Sequence, residues 1–151
     1  MITVPKIDEN EWHQREFDWT GKSFYFIPVF NLFGNPLGLN NKVNAVYNQA
    51  RQAGYKIKGD MILIQHSAFK GRVMIEVARQ EKLDANIINI DAETKADTLV
   101  FNGSPGKLKD GINTLIERVA SRRAMKPREV YYTWSPTSES GKIRSVLFAL
   151  T

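Results

Sequence analysis

The chain has 151 residues, 42% of them hydrophobic and 25% charged, with a formal net charge of +5 and no cysteine. That length and balance fit one folded domain with its own core and exclude a disordered, collagen-like or coiled-coil polypeptide. The lack of cysteine excludes disulfides, thiolate catalysis and cysteine-ligated zinc or iron–sulfur centres, and no window approaches the roughly 18 apolar residues of a membrane span.

The first ten residues, MITVPKIDEN, read as a lead-in with no basic segment running into an apolar one, so a cytoplasmic location without a membrane partner is expected. From Glu11 to Trp19 the loose alternation of Trp12, Phe17 and Trp19 predicts a strand. Gly21 and Lys22 turn the chain into Ser23–Phe30, whose FYFIPVF has the aromatic and β-branched content of a strand buried on both faces. Pro28 cannot donate to a ladder and puts that strand at an edge or at a bulge. NLFGNPLG, over Asn31–Gly38, reads as a loop. A helix from Leu39 to Ala53 follows, with Leu39, Val43, Val46, Tyr47 and Ala50 on one face and Gly54 as its stop. Met61–Gln65 predicts a doubly buried strand and His66–Gly71 a turn. In the next strand, Arg72–Arg79, Val73, Ile75 and Val77 share one face, and Met74, Glu76 and Ala78 the other.

The polar stretch Gln80–Ala96 connects two halves, with Ile87, Ile88 and Ile90 expected as a strand opening the second. Asp97–Phe101 is the next strand and NGSPG a turn. The second helix runs from Lys107 to Arg123 on Leu108, Ile112, Leu115, Ile116 and Val119. Gly111 inside it costs about 1 kcal/mol relative to alanine, which a close approach of helix to sheet would justify. Glu129–Trp134 is a strand, SPTSESG a long turn, and Lys142–Leu150 the closing strand.

The two halves match at a fixed offset. Every apolar position of the first helix precedes its counterpart in the second by 69 residues, and the same shift carries Met61, Leu63 and Gln65 onto Val130, Tyr132 and Trp134. A β-α-β-β unit therefore occurs twice, with halves near residues 11–80 and 86–151.

LVFNGSPGKLKDGINTLIERV, then REVYYTW, then GKIRSVLFAL, resembles the strand, glycine-containing turn, helix and terminal hairpin of the GyrI-like small-molecule-binding superfamily. The first half fits the same layout more loosely. The resemblance implies a single α+β domain over residues 1–151, with two units related by a pseudo-twofold. It also implies a curved, mostly antiparallel sheet carrying both main helices on one side, and a ligand cleft at the junction of the halves. Members of that superfamily are fused to DNA-binding regions as effector-binding domains, or stand alone as gyrase-inhibitor-like, drug-sequestering or hydrolytic proteins. With no stretch left for a helix-turn-helix module, a stand-alone role is expected here.

Glu76 is an acidic residue in the apolar strand RVMIEVA. Some members of the superfamily use a carboxylate in an aromatic-lined cleft to recognise lipophilic cations, since a desolvated carboxylate needs a cationic partner. The alternative is an exposed glutamate on an open sheet face. Tyr131, Tyr132 and Trp134 are candidate cleft aromatics, with Tyr25 and Trp19 as weaker ones, because such rings offer flat apolar area with a polar handle. Tyr132 and Trp134 share one face of their strand and Tyr131 takes the other; either face can line the cleft.

The basic residues Arg118, Arg122, Arg123, Lys126 and Arg128 suit a helix carboxyl end, and without interleaved aromatics or a known motif they argue against nucleic acid as a partner. His13 and His66 stand apart with no ligand spacing, so neither a metal nor haem is expected, and no other cofactor is indicated. None of Ser67, Ser104, Ser135 and Ser145 lies in a GxSxG elbow, and no catalytic residue is assigned. A hydrolase of small electrophiles, using Glu76 with a tyrosine, is the enzymatic alternative. The leading expectation is a binding protein for an aromatic or cationic small molecule, and the second is a protein-interaction module docking on a macromolecule.

Overall fold

In a computed structural model that describes residues 6–82 and 84–151, the helices and strands arise where the hydrophobic period changes between 3.6 and 2. The elements are α1 (Glu9–Trp12), β1 (Glu16–Asp18), β2 (Ser23–Leu32), β3 (Asn35–Pro36), α2 (Leu39–Gln52), β4 (Ile57–Gln65) and β5 (Lys70–Val77). After these come β6 (Ile87–Asn89), β7 (Lys95–Gly103), α3 (Leu108–Arg123), β8 (Glu129–Thr133) and β9 (Ile143–Leu150). Residues 1–5 of the expected lead-in and residue 83 of the expected connection lie outside the described residues.

The architecture is α+β. Among the described residues nine strands form one sheet in the order β1-β7-β9-β8-β4-β5-β2-β3, with β6 beside β2, and every pairing is antiparallel. Its centre is the pair β4–β8, where Leu63 faces Thr133 and Ile64 faces Tyr132. To one side run β5 and β2, to the other β9 and β7, so β2-α2-β4-β5 and β7-α3-β8-β9 take up the same order outward from the middle.

Both long helices pack on one face. Val43, Val46 and Ala50 of α2 and Ile112, Leu115 and Val119 of α3 share a core with Ile62, Ile64, Val73, Ile75, Val77, Val130 and Tyr132. Burial of such side chains contributes about 1.5–3 kcal/mol each, so this layer supplies most of the driving force for docking the helices. Gly54, at φ 86°, ends α2 in the left-handed conformation that glycine adopts without a Cβ clash. The expected reason for Gly111 is met: a Cβ there would lie 2.8 Å from Cδ1 of Phe101 on β7, so α3 rides closer to the sheet than a side chain would permit.

The opposite face is covered by the N-terminal segment. Ile7, Trp19, Phe24, Leu63, Met74, Tyr131 and Phe148 form a second core there, with Trp12 and Phe17 packed against it. Trp12 lies in the short helix α1, whose Asp8 cap accepts from Asn10 N–H, and only Glu16–Asp18 of the expected Glu11–Trp19 strand is extended.

Two further differences come from pairing, which local periodicity does not encode. The expected loop Asn31–Gly38 is largely a tight hairpin, with Phe33 and Gly34 both at positive φ between β2 and β3, the twist that a two-residue hairpin requires. The isoleucine strand β6 does not open a second half beside β7 but pairs with Ser23–Tyr25 of β2, while β1 pairs with β7. Each of these short strands precedes one long strand in the chain and pairs with the other. Pro28 meets its expectation at the outer side of β2, in the gap between β6 and β3.

Candidate functional site

The amino ends of α2 and α3 lie over the central β4–β8 pair and flank an open cleft of about 750 Å³. Its floor is Ile64 and Tyr132, its sides are Leu39 and Val43 of α2 and Leu108 and Ile112 of α3, and Trp134 closes it beyond β8. NLFGNPLG and NGSPG, the turns leading into the two helices, supply the rim through Gly34–Pro36 and Pro105–Gly106. The helix side of the lining follows the 69-residue offset, with Pro36 and Pro105, Leu39 and Leu108, Asn40 and Lys109, and Val43 and Ile112 present as pairs. The strands do not: Met61 and Leu63, expected to match Val130 and Tyr132, lie on the opposite face, and it is Ile62 and Ile64, 68 residues before Val130 and Tyr132, that share their face.

Polar side chains are set among these apolar ones, including Asn40 and Asn44 of α2, His66, Lys109, Tyr132 and Ser135. Tyr132 is 8% exposed, and burial alone raises its phenol to about 12. Its hydroxyl has no hydrogen-bond partner among the described residues. His66 is half-buried, and its imidazole is held below the usual histidine value, first by burial and then by the charge of Lys109. Lys109 Nζ donates to the carbonyl of Phe33 at 3.1 Å and so ties the β2–β3 hairpin tip to α3 across the rim. Neither α2, entered through Gly38, nor α3, entered through a 3₁₀ turn at Pro105–Lys107, has a side-chain cap. No carboxylate lines the cleft among the described residues.

The sequence-predicted residues are distributed over both faces. Tyr132 and Trp134 line the inter-helix cleft, which decides which face of their strand points there. Glu76 and Trp19 lie on the opposite face, in a pocket of about 450 Å³ with Trp12, Phe17, Phe24 and Phe148. There Lys22 Nζ donates to both oxygens of Glu76 at 3.1 Å, so the carboxylate already has a cationic partner. Tyr131 belongs to a third place. Its hydroxyl donates to Glu129 and accepts from Arg72 Nη1 at 3.2 Å, and burial with the Glu129 bond raises its pKa well above the usual phenol range. Tyr25 is core, its ring centre 5.4 Å from that of Tyr55 and tilted to it by 47°, and the Tyr55 hydroxyl bonds Asp84. Trp19 packs on Phe24 and Phe148, each at 5.2 Å between ring centres.

Of the basic residues near the end of α3, Arg123 forks onto Asp97 at 2.7 and 3.0 Å and reaches Glu16 at 2.6 Å, and Arg128 donates to Thr94 at 2.9 Å. Ser67, Ser135 and Ser145 donate their hydroxyls to backbone carbonyls. Among the described residues no group of three or more potential ligands could hold a metal ion, and no helix is long and apolar enough to cross a membrane. Beside the cleft, Phe30, Leu32, Leu37 and Phe69 are half-exposed and Phe33 is 70% exposed, an apolar patch around the hairpin tip.

Sequence reasoning missed His66 as a wall residue, Lys109, and the two helix-leading turns. His66 and Lys109 each stand 69 residues from another lining residue, Ser135 and Asn40, which is the signal that could have found them. The chain matches no protein-family model and no curated protein.

Proposed function

We propose that this protein binds a small aromatic molecule in the cleft between α2 and α3, and that it is built in the GyrI-like manner from two β-α-β-β units related by a pseudo-twofold through the β4–β8 pair. The observation that carries the reading is the cleft: about 750 Å³, within the range of small-molecule sites, with two aromatic rings, apolar residues from both helices, and amide, hydroxyl, imidazole and ammonium groups set among them. Three features support the duplicated build. The long helices start 69 residues apart, their lining residues Leu39 and Val43 match Leu108 and Ile112 at that same offset, and β1 and β6 are exchanged reciprocally between the halves.

Of the two ligand classes suggested by the sequence, this cleft favours the aromatic one over the cationic one, since it offers no carboxylate. Recognition of a lipophilic cation by Glu76 would belong to the pocket on the other face, where Glu11, Asp18 and Asp60 join it, and would require Lys22 to give way.

A thermal-shift screen of planar aromatic compounds tests the reading. A ligand at a hundred times its Kd stabilises the native state by about 2.7 kcal/mol, a rise of several degrees for a chain of this size. The rise is expected to shrink in Trp134→Ala and to persist in Glu76→Gln. The reverse pattern would move the site to the opposite face.

The exposed patch at Phe30, Leu32, Phe33, Leu37 and Phe69 favours a second reading, a protein-interaction module. Silence across the aromatic panel, together with a partner whose capture is lost in Phe33→Ser, would support it instead.

A further inference from the structure

We infer that the ligand of the inter-helix cleft is an aromatic monocarboxylate, with its ring over Tyr132 and Trp134 and its carboxylate received by Lys109 and the Tyr132 hydroxyl. This rests on the cleft being the binding site and goes beyond it by fixing the charge and orientation of the ligand.

The charge inventory is one-sided. Lys109 is the only lysine or arginine among the described lining residues, and no aspartate or glutamate accompanies it. Lys109 makes no ion pair among the described residues. Its bond to the Phe33 carbonyl uses one of three ammonium donors, leaving two for an incoming group. An anion would thus find a cation whose present partner is a neutral carbonyl; a ligand cation would meet Lys109 with no carboxylate to offset it.

The second observation is independent of charge. Tyr132 is more than nine-tenths buried, lines the cavity, and has no partner for its hydroxyl among the described residues. A hydroxyl at the cavity wall with no partner among these residues is free to donate to a ligand acceptor there. The uncapped amino end of α2, which has no acidic residue in its first turn, adds positive potential on the same side. Asp110 offsets that effect in α3 but does not line the cavity.

The orientation follows from the one lining pair whose members differ in charge. The 69-residue offset matches Lys109 with Asn40, so the two sides of an otherwise similar cleft are unlike, and the carboxylate belongs on the α3 side.

The test uses the ¹⁵N-labelled full chain, whose three tryptophans report on separate places: Trp134 on this cleft, and Trp12 and Trp19 on the opposite pocket. Three probes with one ring system, 2-naphthoate, 2-naphthamide and 2-naphthylmethylammonium, are titrated while the indole N–H signals are followed. The expected result is saturable movement of Trp134, with naphthoate bound roughly tenfold or more tightly than the other two, as befits a charge-assisted contact. Lys109→Met should reduce naphthoate to the affinity of the amide, and Lys109→Arg should restore most of the preference. If the amide binds as well as the acid, or Lys109→Met leaves the preference intact, the carboxylate inference is overturned while the cleft reading stands. If no probe moves Trp134, the cleft reading fails and this inference with it.

Discussion

His66 closes β4 at the cleft wall, where burial and the neighbouring Lys109 both disfavour its charged form. Its folded pKa lies below that of the unfolded chain, about 6.5, so the unfolded state binds more protons over the window between the two values. Stability from this residue is full above that window and falls as the pH drops through it. Urea midpoints at about pH 7.5 and about pH 5.5 should differ more in the wild type than in His66→Gln. Equal differences would mean that the imidazole does not report on the wall. Tyr132 and Trp134 were legible as candidates because they belong to a dense aromatic cluster and strand alternation puts them on one face, though alternation alone does not say which face meets the cleft. His66 and Lys109 were not, since a turn residue and a helix-start lysine carry no periodicity. Glu76 was misleading for a physical reason: a carboxylate in an apolar strand needs a cation, and Lys22, remote in sequence, supplies it from within the chain.

At the scale of elements, the end of α3 is fastened to the sheet by charge. Asp97 of β7 is 2% exposed and is held by the Arg123 fork, which also takes Glu16 of β1; the bonds to Asp97 and then to Glu16 raise the arginine above its ordinary value. Arg123→Ala would leave a buried carboxylate with only Arg122, at 3.8 Å, as partner. We expect a loss of about 3 kcal/mol, near the lower limit for breaking a buried pair because Arg123 is partly open to solvent. A denaturant titration checks this, with Lys95→Ala, which removes an exposed pair to Asp18, expected near neutral. Both long helices and the long strands could be read from the sequence, because their burial repeats every 3.6 or every 2 residues over enough length. The pairing of β1, β3 and β6 could not, since segments of two or three residues take their partners from tertiary proximity.

For the whole molecule, the reciprocal placement of β1 and β6 means that neither half completes its own sheet edge. The chain should therefore unfold in one transition, with far-UV circular dichroism and tryptophan fluorescence coinciding; two separated transitions would show that the halves are energetically independent. The outer side of β2 has a further consequence. Along that strand Phe24, Phe26, Pro28 and Phe30 turn their backbone groups outward, as the bond from Phe26 N–H to the Asn86 carbonyl indicates. Asn86 Nδ2 occupies the Phe26 carbonyl and Leu37 N–H occupies that of Phe30, leaving Pro28 in the gap with a carbonyl and no hydrogen to give. A strand from another molecule would find no donor there at the place where it would have to begin pairing. One imino acid in the most aromatic strand of the chain thus works against continuation of the sheet by a neighbour at this edge.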